Sequence, residues 1–199
     1  MTYTRLKIDS GIAGKVALVT GSTGGIGHAI LRALAAQGCK VMMNGLGEPA
    51  EIEARRASVA NETRSEVRHH PANLADAAQV RELHEATKQA LGPVDILVNN
   101  AVTRNFHTLD EMPWEAWEEA VAVNLSAPFL LTQLALRDMK AKRWGRIVNM
   151  ASNWGLTGTS GRSDYVATKH GVVGLTKATA LEALPYNVTC NAIAPGSVL

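Results

Sequence analysis

The chain has 199 residues, 46% hydrophobic and 19% charged, with a formal net charge of +2 and a mean hydropathy of −0.02. That balance excludes a disordered chain, which needs lower hydrophobicity and higher net charge, and the length suits one domain of about 100–200 residues. No apolar run approaches the roughly 20 residues of a membrane helix, residues 1–10 lack the h-region of a secretory signal, and a near-neutral charge disfavours nucleic acid.

In chain order, short β-branched apolar runs fall at residues 15–20, 40–44, 95–98, 146–150 and 187–193, with a weaker run at 66–70. Helical apolar spacing fills 26–37, 48–60, 75–91, 114–142 and 163–184 between them. Gly38 and Gly92 follow two of these helices, Asp76 starts one and Pro113 opens another, as helix stop and start signals do. Strands apolar on both faces belong in a parallel sheet covered by helices. The alternation predicts a single α/β domain with a doubly wound parallel sheet, whose ligands bind beyond the carboxyl ends of the strands. The two cysteines, Cys39 and Cys190, lack CxxC spacing and read as buried free thiols of a reducing cytoplasm. The last nine residues, 191–199, are apolar and carry no polar tail.

After the first strand comes Thr20-Gly21-Ser22-Thr23-Gly24-Gly25-Ile26-Gly27, directly opening a helix. Glycines let the backbone turn tightly against a phosphate, and the helix N-terminus offers unpaired N–H groups to a pyrophosphate. The flanking strand and helix are the context that separates such a loop from a plain Gly-rich turn. No Lys-Ser/Thr follows the last glycine, so this is not an ATPase P-loop.

Further on lie Ser152, just past the fifth strand, and Tyr165-Val-Ala-Thr-Lys169 on the last helix. Residues four apart share a helix face, so the Tyr165 hydroxyl and the Lys169 ammonium project to the same side. A tyrosine, with an ordinary pKa of about 10, is brought into working range as a general base by a fixed positive charge. Asn124 is a lone amide in an apolar helical stretch and invites a partner, a relay water being one candidate. Each has a plainer reading when taken singly: chance spacing for YxxxK, a turn cap for Ser152, a satisfied buried amide for Asn124.

Together, and in this order after a TGxxxGIG loop, these residues resemble the short-chain dehydrogenase/reductase family over residues 15–199, with residues 1–14 as an N-terminal extension. The resemblance implies a Rossmann-type fold and a homo-oligomer, dimer or tetramer. It makes Tyr165 the acid/base, Lys169 its charge partner and ribose ligand, Ser152 the polariser of the reacting oxygen and Asn124 the holder of the relay water. It places the cofactor on Gly21, Ser22, Thr23, Gly25, Ile26, Gly27, Asn73, Leu74, Asn99, Ala101, Tyr165, Lys169, Pro195, Gly196 and Val198. It also implies continuation past Pro195-Gly196 into a substrate-covering loop, further helices and a seventh strand, so that 15–199 is C-terminally incomplete. Two positions depart from the pattern. Val102 replaces the glycine of NNAG, and Asn73 stands where an acid meets adenine.

For the cofactor, the interior of the glycine loop and residues 44–48 carry no Lys or Arg to meet a 2′-phosphate, so NAD is favoured over NADP. Arg55 and Arg56 read as a solvated helix face. Within the family the chain is most similar to bacterial D-3-hydroxybutyrate dehydrogenases, whose carboxylate-binding positions are Arg104, Ser152, Trp154 and Arg162 here. Arginine offers a bidentate fork to a carboxylate, so a small acidic substrate is expected. A surface-loop role is the plainer reading of Arg104.

The alternatives are an NADPH-linked 3-oxoacyl-carrier-protein reductase and a nucleotide-binding scaffold without turnover. In the first, the basic cluster Arg137, Lys140, Lys142, Arg143 and Arg146 would face an acidic partner; its plainer reading is a solvated helix C-terminus. No metal is expected, because His69 and His70 point to opposite strand faces and HExxH is absent. Trp114 and Trp117 read as core or subunit contacts.

Overall fold

The computed structural model describes residues 10–196. Val198 and residues 1–9 of the expected extension lie outside the described residues. The six apolar runs form β1 (Val16–Val19), β2 (Lys40–Asn44), β3 (Val67–His70), β4 (Ile96–Asn99), β5 (Gly145–Met150) and β6 (Val188–Ile193). All pair in parallel, in the order β3-β2-β1-β4-β5-β6. The order reverses between β1 and β4, which opens a crevice at their carboxyl ends.

Side chains alternate across a strand, and β1 shows why its run must be wholly apolar. Val16 and Leu18 join one core layer while Ala17 and Val19 join the other. On the second face lie α1 (Gly25–Ala36) and α2 (Pro49–Thr63), through Leu31, Ala35, Ile52 and Val59. The first face carries α3 (Ala77–Leu91) and α5 (Ala127–Lys142), through Val80, Leu83, Leu131 and Met139. The last helix, α6 (Ser163–Ala183), packs on β6. Asp76 caps α3, its Oδ1 accepting from the Ala78 N–H at 2.8 Å. One face of β6 is exposed among the described residues, Ile193 being 49% accessible.

The predicted helix 114–142 is divided. After α4 (Trp114–Val121) one π turn, Ala122–Ser126, carries the chain into α5. Pro128 has no N–H, so the Asn124 carbonyl lacks its α-helical donor and the ladder is rerouted. The span Trp114–Lys142 is long and apolar enough to cross a membrane by length and composition, yet its apolar stripe is core: Leu131, Ala135 and Met139 are buried against the sheet.

Of the two readings given to Trp114, the core one does not hold, since it is 65% exposed; the subunit-contact reading stays open. The basic cluster lies at the surface, with Arg137, Lys142 and Arg143 exposed, as a solvated helix end should, and it also makes surface contacts: Lys142 pairs with Asp95 at 2.8 Å, Arg143 and Arg146 donate to the Pro185 and Asn187 carbonyls at 3.0 Å, and Lys140 lies over the Tyr186 ring.

Candidate active site

A cavity of about 1080 Å³ opens over the carboxyl ends of the strands, running from Gly21 and Asn73 at one end to Arg104, Trp154 and Arg162 at the other. Its shape begins with two glycines. Gly21 has φ +60, and a Cβ there would stand 2.7 Å from the Ala101 Cα. A Cβ on Gly27 would overlap the Gly21 carbonyl oxygen and the Asn100 amide nitrogen. The loop is thus drawn down onto β4, where Asn100 Nδ2 donates to the Thr20 and Gly21 carbonyls at 3.0 Å. Thr23, Gly25 and Ile26 complete this wall, and α1 opens from it with its first N–H groups unpaired.

Two residues expected at the cofactor, Ser22 and Asn99, have side chains turned away from the cavity. Ser22 is fully buried; its hydroxyl donates to the Val19 carbonyl at 2.7 Å and accepts from the Asn44 N–H, so it ties the loop to the sheet. The Asn99 amide donates to Asn149 Oδ1 at 2.8 Å and to Thr132, in the core. Its neighbour Asn100 lines the cavity instead, because alternation along the strand end turns successive side chains to opposite faces. Asn100 stood unselected in the NNA motif, and that alternation was the signal for it. Asn73 and Leu74 do line the cavity, but Asn73 Oδ1 already accepts from the Ala75 N–H at 3.0 Å. Pro195, Gly196 and Val102 also line it.

Ser152, Tyr165 and Lys169 come together on the floor, each at most 6% exposed. Ser152, two residues past β5, is extended; its Oγ accepts from the Trp154 N–H at 3.2 Å and donates to Asn153 Oδ1 at 3.1 Å, so the turn cap and the position over the cavity coexist. The Tyr165 hydroxyl makes no hydrogen bond to another described residue. Gly155 holds this turn against α6, since a Cβ there would meet the Lys169 carbonyl at 2.9 Å. Lys169 donates to the Met150 carbonyl and stands 5.5 Å from the Tyr165 ring centroid.

Burial, reinforced by the Arg104 charge, pushes the Lys169 ammonium down to about 8. Its native form therefore sheds a proton before the unfolded chain does at 10.5, and stability rises with pH across that window. Urea denaturation should show wild type gaining on Lys169→Met between pH 7 and pH 10, by at most about 3 kcal/mol at roughly 1.4 kcal/mol per pKa unit. An unchanged gap would place the charge in solvent.

Asn124 is 1% exposed and sits behind the floor. Its Oδ1 accepts from the Thr103 N–H at 2.9 Å and its Nδ2 donates to the Thr103 carbonyl at 3.1 Å. The partners of this side chain are thus the Thr103 main chain and, at 3.4 Å from Nδ2, the Thr168 hydroxyl. The contact holds the loop that carries Arg104.

At the far end the Arg162 guanidinium stacks 3.6 Å from the Phe106 ring centroid and 5.1 and 5.8 Å from those of Trp154 and Tyr165. Trp154 meets Tyr165 edge-on at 6.2 Å. Arg104 and Arg162 line the cavity with Lys169, against one acid, Glu119, and neither arginine pairs with a carboxylate of a described residue. Phe106 was not singled out from the sequence; an exposed aromatic in a polar loop carries little periodic signal.

Residues 15–199 match the family described as short chain dehydrogenase. The chain belongs to that family. It is 46% identical over 186 residues to a D-beta-hydroxybutyrate dehydrogenase of Cupriavidus necator, covering 94% of this chain and 71% of that protein. To a 3-oxoacyl-(acyl-carrier-protein) reductase of Aquifex aeolicus it is 43% identical over 189 residues, covering 94% of this chain and 75% of the other. A crystal structure from Sinorhizobium meliloti, described as a short-chain alcohol dehydrogenase, superposes with a TM-score of 0.87 at 33% identity, covering 92% of this chain and 72% of that one. This short-chain dehydrogenase is accordingly an oxidoreductase acting on CH–OH groups with a nicotinamide cofactor. The residues present fit such a group: Gly21 and Gly27 form a cradle that any Cβ would fill, at the N-terminus of a helix.

Proposed function

We propose that the protein interconverts a short 3-hydroxy acid and its 3-oxo acid with NAD, as an enzyme resembling a 3-hydroxybutyrate dehydrogenase. The carrying observation is two guanidinium groups, without carboxylate partners among the described residues, in the same cavity as Ser152, Tyr165 and Lys169. Arg162 is held flat by three rings, an arrangement in which cation–π attraction fixes the fork at about 0.5–2 kcal/mol. The substrate carboxylate is assigned to Arg162 and Arg104, which leaves the hydroxyl-bearing carbon over the floor. Ser152 Oγ then turns its one proton from Asn153 Oδ1 to the reacting oxygen, while Tyr165 Oη exchanges its proton. The positive charge of Lys169 stabilises the phenolate form. With the Asn124 side chain committed to Thr103, the relay-water role rests on the Asn124 main-chain carbonyl, which Pro128 deprives of an α-helical donor. Bound nicotinamide supplies the site that accepts or returns a hydride. Thr23, Gly25, Ile26, Gly27, Ala101, Pro195 and Gly196 are the residues that would hold it. NAD is read from the absence of Lys and Arg at 22–24 and 44–48.

The carrier-protein reductase reading stands second, because the basic cluster it called on is engaged with Asp95 and backbone carbonyls. Exposed Trp114 and Phe129 on α4 and α5 support a homo-oligomer, and two buried free cysteines a reducing cytoplasm. A substrate panel followed by absorbance of the reduced cofactor tests the acid reading. Short 3-hydroxy acids should turn over and matched neutral alcohols should not. Arg162→Met should raise KM for the acids by about tenfold to a hundredfold, the loss expected of a charge-assisted bond. Equal turnover of neutral alcohols would remove the carboxylate from the assignment.

A further inference from the structure

Resting on the carboxylate reading above, we propose that Asn105 and Asp164 are positioning residues for the acid substrate. A hydrogen bond between them holds the Arg162 guanidinium where it receives the carboxylate. Asn105 Nδ2 donates to Asp164 Oδ2 at 3.1 Å. That bond joins the loop after β4, which carries Arg104 and Phe106, to the start of α6, which carries Tyr165 and follows Arg162. An amide NH₂ has two donors, and the other goes to the Ala116 carbonyl of α4 at 3.1 Å. Asn105 thus anchors the loop on two helices at once.

The stack of Phe106 on Arg162 lies between two links. On one side is the Asn105–Asp164 bond. On the other, His107 forms a parallel bridge with Arg162, its N–H donating to the Gly161 carbonyl at 3.2 Å. Phe106 is 70% exposed, so burial does not fix its ring; the anchored residues on either side of it do. Arg104 depends less on Asn105, because Asn124 holds its other neighbour, Thr103, by both N–H and carbonyl. The Asn105 link therefore acts through Phe106 on Arg162.

Asp164 is fully buried, and its Oδ1 has no hydrogen-bond partner among the described residues. The first turn of a helix favours an acid, yet an acid facing water would serve that end. A buried carboxyl with one oxygen unpaired is costly to keep. What this position gains is the bond from Oδ2 across to the loop. Neither Asn105 nor Asp164 lines the cavity, so both act through what they hold and not on the substrate itself.

Steady-state kinetics with a short 3-hydroxy acid reads the bond as a split between KM and kcat. Asn105→Ala should raise KM for the acid by about tenfold, the loss expected of a hydrogen bond to a carboxylate, with kcat and affinity for the reduced cofactor at wild-type values. In an Arg162→Met background the same substitution should leave KM unchanged, because the group it positions is gone. Asp164→Leu should match Asn105→Ala, and carries the test if that variant does not fold. Asp164→Asn keeps an acceptor oxygen and should stay within about threefold of the wild-type KM. A wild-type KM in Asp164→Leu, an equal KM in Asp164→Leu and Asp164→Asn, or an equal rise from Asn105→Ala in both backgrounds would overturn the positioning role alone. An unchanged KM in Arg162→Met by itself would overturn the carboxylate reading, and the proposal with it.

Discussion

Tyr165→Phe should lower turnover by about 10²–10⁴-fold, the range that general acid–base groups contribute, while cofactor affinity stays at the wild-type value. The substitution removes one oxygen. The ring keeps its edge-on packing against Trp154 and its place beneath Arg162, and Lys169 keeps its bond to the Met150 carbonyl. Neither the cradle nor the arginine end depends on that hydroxyl. Single-turnover rates with a short 3-hydroxy acid, paired with fluorescence titration of the reduced cofactor, separate the two effects. Turnover within a few-fold of wild type would assign proton exchange elsewhere; a parallel loss of cofactor affinity would make Tyr165 a binding residue.

Gly27→Ala should abolish nucleotide binding. The new methyl would occupy the space of the Gly21 carbonyl oxygen and the Asn100 amide, which are bonded to each other at 3.0 Å. Backbone cannot rotate aside as a side-chain end can, so the loop must lift from β4, at a cost of about 1–3 kcal/mol or more for overpacking. Gly24→Ala is the control. Gly24 has φ −164, extended backbone open to any residue, and its Cβ would meet only the end of Arg55 at 3.4 Å. Thermal melting and cofactor titration should show Gly24→Ala near wild type and Gly27→Ala unable to bind. Retained binding in Gly27→Ala would mean that the loop does not form the cradle.

Much of the fold was legible in the sequence because its strands are buried on both faces and appear as continuous apolar runs; β1 shares its residues between two core layers. Even the weak run before His70 proved to be a strand, paired with β2. Helix starts were legible where a side chain makes the cap, as Asp76 does. The π turn at Ala122–Ser126 escaped because apolar spacing is nearly the same through it, although Pro128 was its visible cause. At the site, Tyr165 and Lys169 fell on one face as a four-residue helical spacing requires. The Asn99 side chain turns into the core while that of Asn100 lines the cavity, since a motif names residues without saying which side of the strand end each side chain takes.

From sequence alone followed the doubly wound sheet, the glycine loop at a helix start and the pairing of Tyr165 with Lys169, all properties of spacing within one element. Only the tertiary structure decided that Asn124 bonds the Thr103 backbone, that Arg104 and Lys169 line one cavity, that Arg162 lies among Phe106, Trp154 and Tyr165, and that Arg55 reaches the loop at Thr23. Those contacts join elements far apart in the chain. Local periodicity sets the face a residue occupies; the angle and depth at which two elements pack set what that face meets.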